Sequence, residues 1–206
     1  MSRTARQYHL GMARWEPDAA GRLQQAALDL YVERGYERTT VAEIARRAGL
    51  TERTFFRHFA DKREVLFWGA KAFQEFLVSN VDAAPASLPP IDAIAAALGT
   101  AADDIFEVRR DLVRQRQAII DANPELQERE LRKLASLASA LADALRRRDA
   151  GDPASSLAAE AGIAVFKIAF EDWIHGAGER TLSDGIRASV DELRRVTGRQ
   201  RPAARR

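Results

Sequence analysis

The sequence predicts an all-α protein. In every periodic segment the apolar residues recur at helical spacing, and no run alternates as a half-buried strand does. The segment boundaries carry helix punctuation: Thr40 and Thr51 as caps, Gly35 and Gly49 as stops, Asn123-Pro124 and Asp152-Pro153 as starts. About nine helices follow.

Leu23, Ala26, Ala27, Leu30 and Tyr31 fall on one helical face, so Asp18–Arg34 reads as the first helix and Gly35 ends it. Thr40, with Glu43 three residues on, forms a capping box for a second helix carrying Val41, Ile44 and Ala45. Gly49 stands where a left-handed residue closes that helix, and Leu50 follows as a buried plug. Thr51 caps a third helix with Arg53, Thr54, Phe55, Phe56, Arg57, His58 and Phe59. Asp61 and Glu64 open a fourth, which is expected to run unbroken through Trp68, Ala72, Phe73, Phe76 and Leu77. A proline-containing loop at 83–90 separates it from an Ala-rich helix to Val108 and another over Arg109–Asp121. A leucine-rich helix starts at Asn123-Pro124 and ends in Arg146-Arg147-Arg148, cations that suit the negative end of its dipole. Two further helices are expected, from Asp152-Pro153 to about Gly176 and over Ser183–Thr197.

A helix, a glycine turn and a short second helix rich in cations and aromatics is the pattern of a DNA-reading helix-turn-helix. The segment TTVAEIARRAGLTERTFFRHFADK, Thr39 to Lys62, resembles the DNA-binding domain of the TetR family of bacterial one-component regulators. That family's pattern fixes Thr-Thr-Val, Ile-Ala, Ala-Gly, the second cap and a His-Phe…Lys ending at the same spacing. Two positions depart from it. Arg53 stands where the family usually has Gly, adding a cation to the recognition helix. Phe56 stands where it usually has Tyr, removing a hydroxyl that commonly donates to a phosphate. The run RTFFRHFADKREVLF is similar to actinobacterial members, including mycofactocin-type regulators, a group in which acyl-CoA sensing is an expectation.

The recognition helix is expected to enter the major groove with its N-terminal residues at base edges. Arg53 and Thr54 then face bases, with a guanine O6 and N7 as the bidentate partner for Arg53. Thr51 and Arg57 fall at bases or backbone, and the resemblance places Thr40, His58 and Lys62 on phosphates. For His58 a plainer packing or capping role competes.

Composition agrees with this reading. The 206 residues carry a net charge of +2, but 12 Lys and Arg face 9 Asp and Glu over residues 1–67, against 16 facing 21 over 68–197. A basic head and an acidic body suit a protein that sets one end on nucleic acid. There are no cysteines, which excludes disulfides and cysteine-ligated metals. The histidines His9, His58 and His175 lie far apart, so no metal or cofactor is expected. No signal peptide or membrane-length apolar run is visible, and a cytoplasmic location is expected. Met12 is an alternative initiator.

The expected organisation is a flexible basic arm (1–17), a helix-turn-helix domain (18–67), a ligand-binding and dimerisation domain (68–197) and a disordered basic tail (198–206). Arg3, Arg6 and Arg14 in the arm read either as solvated or as minor-groove contacts. The helix from 153 to 176 is apolar nearly all round, which calls for cover on both sides. One side packs on its own domain, and the other needs a partner. Ala161, Ala164, Val165, Phe166, Ile186 and Val190 are the expected homodimer residues. The resemblance implies a ligand site in the C-terminal domain, with Trp68, Phe73, Phe76, Phe106, Arg116, Ile120 and Phe170 as candidates; plain core is the alternative for each. Arg116, on the stripe Leu112, Val113, Ile119, Ile120, is either paired with a buried acid, poised for an anionic ligand, or reaching out to water.

The expected function is a homodimeric repressor, released from double-stranded, pseudo-palindromic operator DNA by a small-molecule inducer, acidic or acyl-CoA-like. The alternative is a DNA-binding dimer with no small-molecule ligand, controlled by a protein partner. An enzyme is not expected. Glu171-Asp172 and Asp103-Asp104 are neighbours that point about 100° apart on a helix, and no nucleophile–base set or phosphate loop appears.

Overall fold

A computed structural model describes residues 19–176 and 180–198. The basic arm and most of the basic tail fall outside those residues. Among the described residues all regular structure is helical, with nine α-helices. The chain divides into two compact units. One runs through Ala72 and also takes in Gln115–Glu128; the other comprises Phe73–Arg114 and Arg129 onward.

In the first unit α1 (Ala19–Arg34), α2 (Val41–Arg47), α3 (Glu52–His58) and a 3-10 turn (Glu64–Phe67) pack together. Leu23, Leu30, Tyr31, Ile44, Ala45, Phe55, Phe59, Val65 and Leu66 are among its buried residues, most of them set by the periodicity above. Leu50 is only half-buried. The fourth helix is not continuous from Asp61. Asp61 does cap, accepting from the Arg63 and Glu64 amides at 2.8 and 3.0 Å, but it caps the 3-10 turn. Trp68 is then extended and Gly69 takes φ +92°, so α4 begins afresh at Ala70 and ends at Ala83. A left-handed residue breaks the helical ladder, and glycine adopts it without a Cβ penalty.

In the second unit α5 (Pro90–Ala101), α8 (Ala154–His175) and α9 (Leu182–Thr197) pack on one another, with α7 (Pro124–Arg147) contributing Leu137, Leu141 and Leu145 to the core. Between α5 and α6 (Arg110–Asp121) the chain stays helical but changes pitch, first as a π-turn (Ala102–Phe106) and then as a 3-10 turn (Glu107–Arg109). The three arginines at the end of α7 anchor neighbours as well as its dipole: Arg147 pairs with Asp82, Arg148 donates to the Pro85 carbonyl, and Arg146 bridges Asp143, Asp152 and Ser156.

α8 is covered differently from expectation. Val165, Phe166, Ile186 and Val190 are buried within this chain's own core, so they are not available to a second copy. Ala164 is exposed and Ala161 half-exposed, and they align with Leu157 and Ile168, which are 65% and 57% exposed. Gly162, on the opposite side, serves close approach within the chain. A Cβ on Gly162 would lie 2.6 Å from the Ile94 Cγ2, whereas Gly99 has nothing within 4 Å. Gly162→Ala gains up to about 1 kcal/mol of helix propensity but forces a buried, β-branched Ile94 to move, costing about 1–3 kcal/mol. Gly99→Ala keeps only the gain. Thermal melting should therefore lower the midpoint of the first variant and raise that of the second.

Candidate nucleic-acid interface and ligand region

The turn between α2 and α3 is fixed by local chemistry. The Thr40 side chain accepts from the Glu43 amide at 3.3 Å, while the Glu43 carboxylate accepts from the Thr40 amide at 3.0 Å. Gly49 takes φ +69°, and the Leu50 amide reaches back to the Ala45 carbonyl at 2.8 Å. Thr51 then caps α3, accepting from the Thr54 amide at 3.2 Å. Phe55 and Phe59 pin the inner face of α3. That leaves Arg53, Phe56, Arg57 and His58 exposed outward. Arg53 has no hydrogen bond or ion pair to a described residue. Phe56, 55% exposed, has its ring edge-on to Phe55 at 5.5 Å, which holds an apolar surface among the cations.

The capping box also titrates. Bonds from the Thr40 amide and hydroxyl, with Arg34 nearby, hold the Glu43 carboxyl below the usual carboxylate range. A lowered folded value means that its stabilisation is present above the ordinary pKa and is lost as the pH falls through the folded one. Glu43→Gln should therefore lower the melting point at neutral pH and make progressively less difference in acid, as scans across pH would show.

Lys62 has a different occupation from a phosphate contact. Its ammonium donates to the carbonyls of Tyr36, Glu37 and Thr39 at 2.9, 3.2 and 3.2 Å and sits 4.3 Å from the Tyr36 ring centre. An ammonium has three N–H donors, and all three are committed inside the head. Tyr31 donates to the Lys62 carbonyl at 2.7 Å, fixing the backbone on the same spot. Burial pushes the Tyr31 hydroxyl well above its ordinary value, with the Asp61 charge adding to it.

The expected ligand residues divide between the units. Trp68, Arg116 and Ile120 belong to the first. There the Arg116 Nε donates to the Leu66 carbonyl at 2.7 Å, its guanidinium lies 5.2 Å from the Phe67 ring centre, and an Nη1 donates to Gln117 at 3.3 Å. Protein acceptors therefore meet that cation. Ile120 is fully buried and Trp68 is exposed. Phe73, Phe106 and Phe170 belong to the second unit and come together with Phe166 and Trp173 in one aromatic cluster, ring centres 5.5–6.4 Å apart. Phe76 packs on the same core. Sequence reasoning missed Arg110 and Arg114, which line this region from α6; their i, i+4 spacing was the available signal. Among the described residues no cluster of His, Cys, Asp or Glu can hold a metal, and no helix is long and apolar enough to cross a membrane.

Comparison with known proteins accounts for both units. The family profile for bacterial regulatory proteins of the tetR family matches residues 23–67, and the profile of the MftR C-terminal domain matches residues 88–198. The HTH-type transcriptional regulator TcmR of Streptomyces glaucescens is 30% identical over 84% of this chain and 81% of its own. The putative mycofactocin biosynthesis transcriptional regulator MftR of Mycobacterium tuberculosis is 28% identical over 82% and 86%. In fold, the chain resembles the FadR repressor of Thermus thermophilus, crystallised with lauroyl-CoA, with a TM-score of 0.55 and 20% identity over 91% of this chain and all of that one. With a capped helix-turn-helix whose recognition helix presents Arg53 and Arg57, and with both family profiles in place, the chain belongs to the TetR family and is a DNA-binding transcriptional regulator with an MftR-like C-terminal domain.

Proposed function

We propose that the protein is a homodimeric repressor that holds a pseudo-palindromic operator and leaves it when a small molecule occupies the second unit. The observation that carries the dimer is the exposed stripe Leu157, Ala161, Ala164 and Ile168 along α8. Two apolar side chains and two small ones on one face suit packing against the same face of a second copy. A dimer supplies two heads, and paired half-sites lie about 34–36 Å apart, or a multiple of that. An inducer that alters the separation of the heads ends simultaneous docking, and the avidity of two linked sites goes with it. The complex of the Thermus repressor with lauroyl-CoA makes acids and acyl-CoA-like molecules the first class to test.

In this reading Arg53 and Thr54 meet base edges, Thr51 and Arg57 meet bases or backbone, and Thr40 and His58 meet phosphates. The test is fluorescence anisotropy on DNA flanking the gene, on a half-site and on a scrambled duplex. Tight binding to the full operator, weaker binding to the half-site and release by an acid support the proposal; equal affinity for all three duplexes ends it. Arg53→Ala should cost about 1–3 kcal/mol per half-site on operator and much less on scrambled DNA.

A further inference from the structure

Arg110 and Arg114 stand one turn apart at the start of α6, both half-buried. Each gives one N–H to the C-terminal end of α8: Arg110 Nη2 to the Trp173 carbonyl at 3.2 Å, Arg114 Nη2 to the Gly176 carbonyl at 3.1 Å. The Nε of each is buried and has no hydrogen-bond acceptor. No described carboxylate pairs with either guanidinium. The nearby Glu107 is already engaged, its Oε1 accepting from the Trp173 indole at 2.8 Å and from the Leu182 amide at 2.7 Å. The helix end offsets part of the charge, but among the described residues no anion faces the two guanidiniums. The Arg110 guanidinium lies 4.9 Å from the Trp173 ring centre, and that ring continues into Phe106 and Phe170. Phe106 and Phe170 are only partly buried.

We infer that Arg110, Arg114 and the Phe106–Phe170–Trp173 rings bind an organic acid with a flat apolar body, its carboxylate on the unpaired guanidinium donors and its body against the rings. An Nε–H and an adjacent Nη–H form the fork that takes a carboxylate bidentately. The inference rests on the proposal that the second unit takes a small molecule, and it names that molecule's class.

The test uses the full-length protein with 2-naphthoate and its uncharged isostere 2-naphthamide in isothermal titration. The wild type should bind the acid at least about tenfold more tightly than the amide, the equivalent of one charge-assisted hydrogen bond. Arg110→Gln and Arg114→Gln should bring the acid down to the amide's affinity and leave the amide unchanged, which shows that the ring surface is intact. Equal binding of acid and amide to the wild type, binding of neither, or variants that keep the preference would overturn the inference. If the variants fail to fold, the wild-type comparison alone decides. Operator anisotropy in the same samples separates the two proposals. Acid that binds without releasing DNA ends inducer release and keeps the site; intact operator binding with no acid bound ends the site and keeps the DNA-binding dimer.

Discussion

Leu157→Glu combined with Ile168→Glu should convert a dimer into monomers and reduce operator affinity by two orders of magnitude or more. Both residues are more than half exposed in the isolated chain, so charge there leaves the internal core untouched. Burying a Leu or Ile contributes about 1.5–3 kcal/mol, and a symmetric interface uses each residue twice. An unpaired carboxylate facing its own copy costs several kcal/mol more. Light scattering at micromolar concentration should report half the wild-type mass with an unchanged helical circular-dichroism spectrum. Half-site affinity should be nearly preserved, because α3 and its caps lie in the other unit. A wild type that is itself monomeric would remove the α8 stripe from the interface and the paired-head reading with it.

The second large effect is on the head alone. Lys62→Met should destabilise it by about 3 kcal/mol, since hydrogen bonds to a charged group contribute about 1.5–3 kcal/mol each and part of that is recovered from water. Methionine keeps the reach of the apolar stem as far as Cε while removing all three donors to Tyr36, Glu37 and Thr39. The same variant addresses its role on DNA. A lost phosphate contact lowers the salt slope of binding by about one. At a temperature where the variant is folded, the slope should be unchanged. A flattened slope with unaltered melting would return Lys62 to the phosphate backbone.

Helix identity and the head were legible because their determinants are local. The Thr40–Glu43 box, the left-handed Gly49 and the Thr51 cap each lie within five residues of what they hold. The outward exposure of Arg53 was legible for the same reason: a short helix pinned by Phe55 and Phe59 has one outward face. Lys62 was misplaced because its partners lie 23 to 26 residues away, in a turn whose carbonyls leave no trace in composition. The break at Gly69 was missed because a glycine inside an apolar run does not show its φ. The inner and outer sides of α8 were confused for a related reason. Periodicity shows that a helix is apolar on several sides, but only packing shows that Val165 and Phe166 are buried in the core while Leu157 and Ile168 are bare. Arg116 and Arg110 are both cations near apolar residues in one helix. Arg116 places its Nε on the Leu66 carbonyl, far away in sequence, whereas Arg110 reaches the Trp173 carbonyl through an Nη and leaves its Nε without an acceptor.

The π-turn at Ala102–Phe106 makes chain length itself a determinant in this protein. A π-turn holds one residue more than an α-turn, so it steps the phase of the helix without breaking it. Deleting one residue there closes the turn as ordinary α-helix and leaves α6 in phase, whereas the same deletion within an α-helical stretch rotates each later side chain by about 100°. Arg110 and Arg114 keep their place in the first case and point elsewhere in the second. Among relatives, a single-residue gap in this segment is therefore tolerated where a gap within α6 is not: only the latter resets which face of α6 looks toward the aromatic rings.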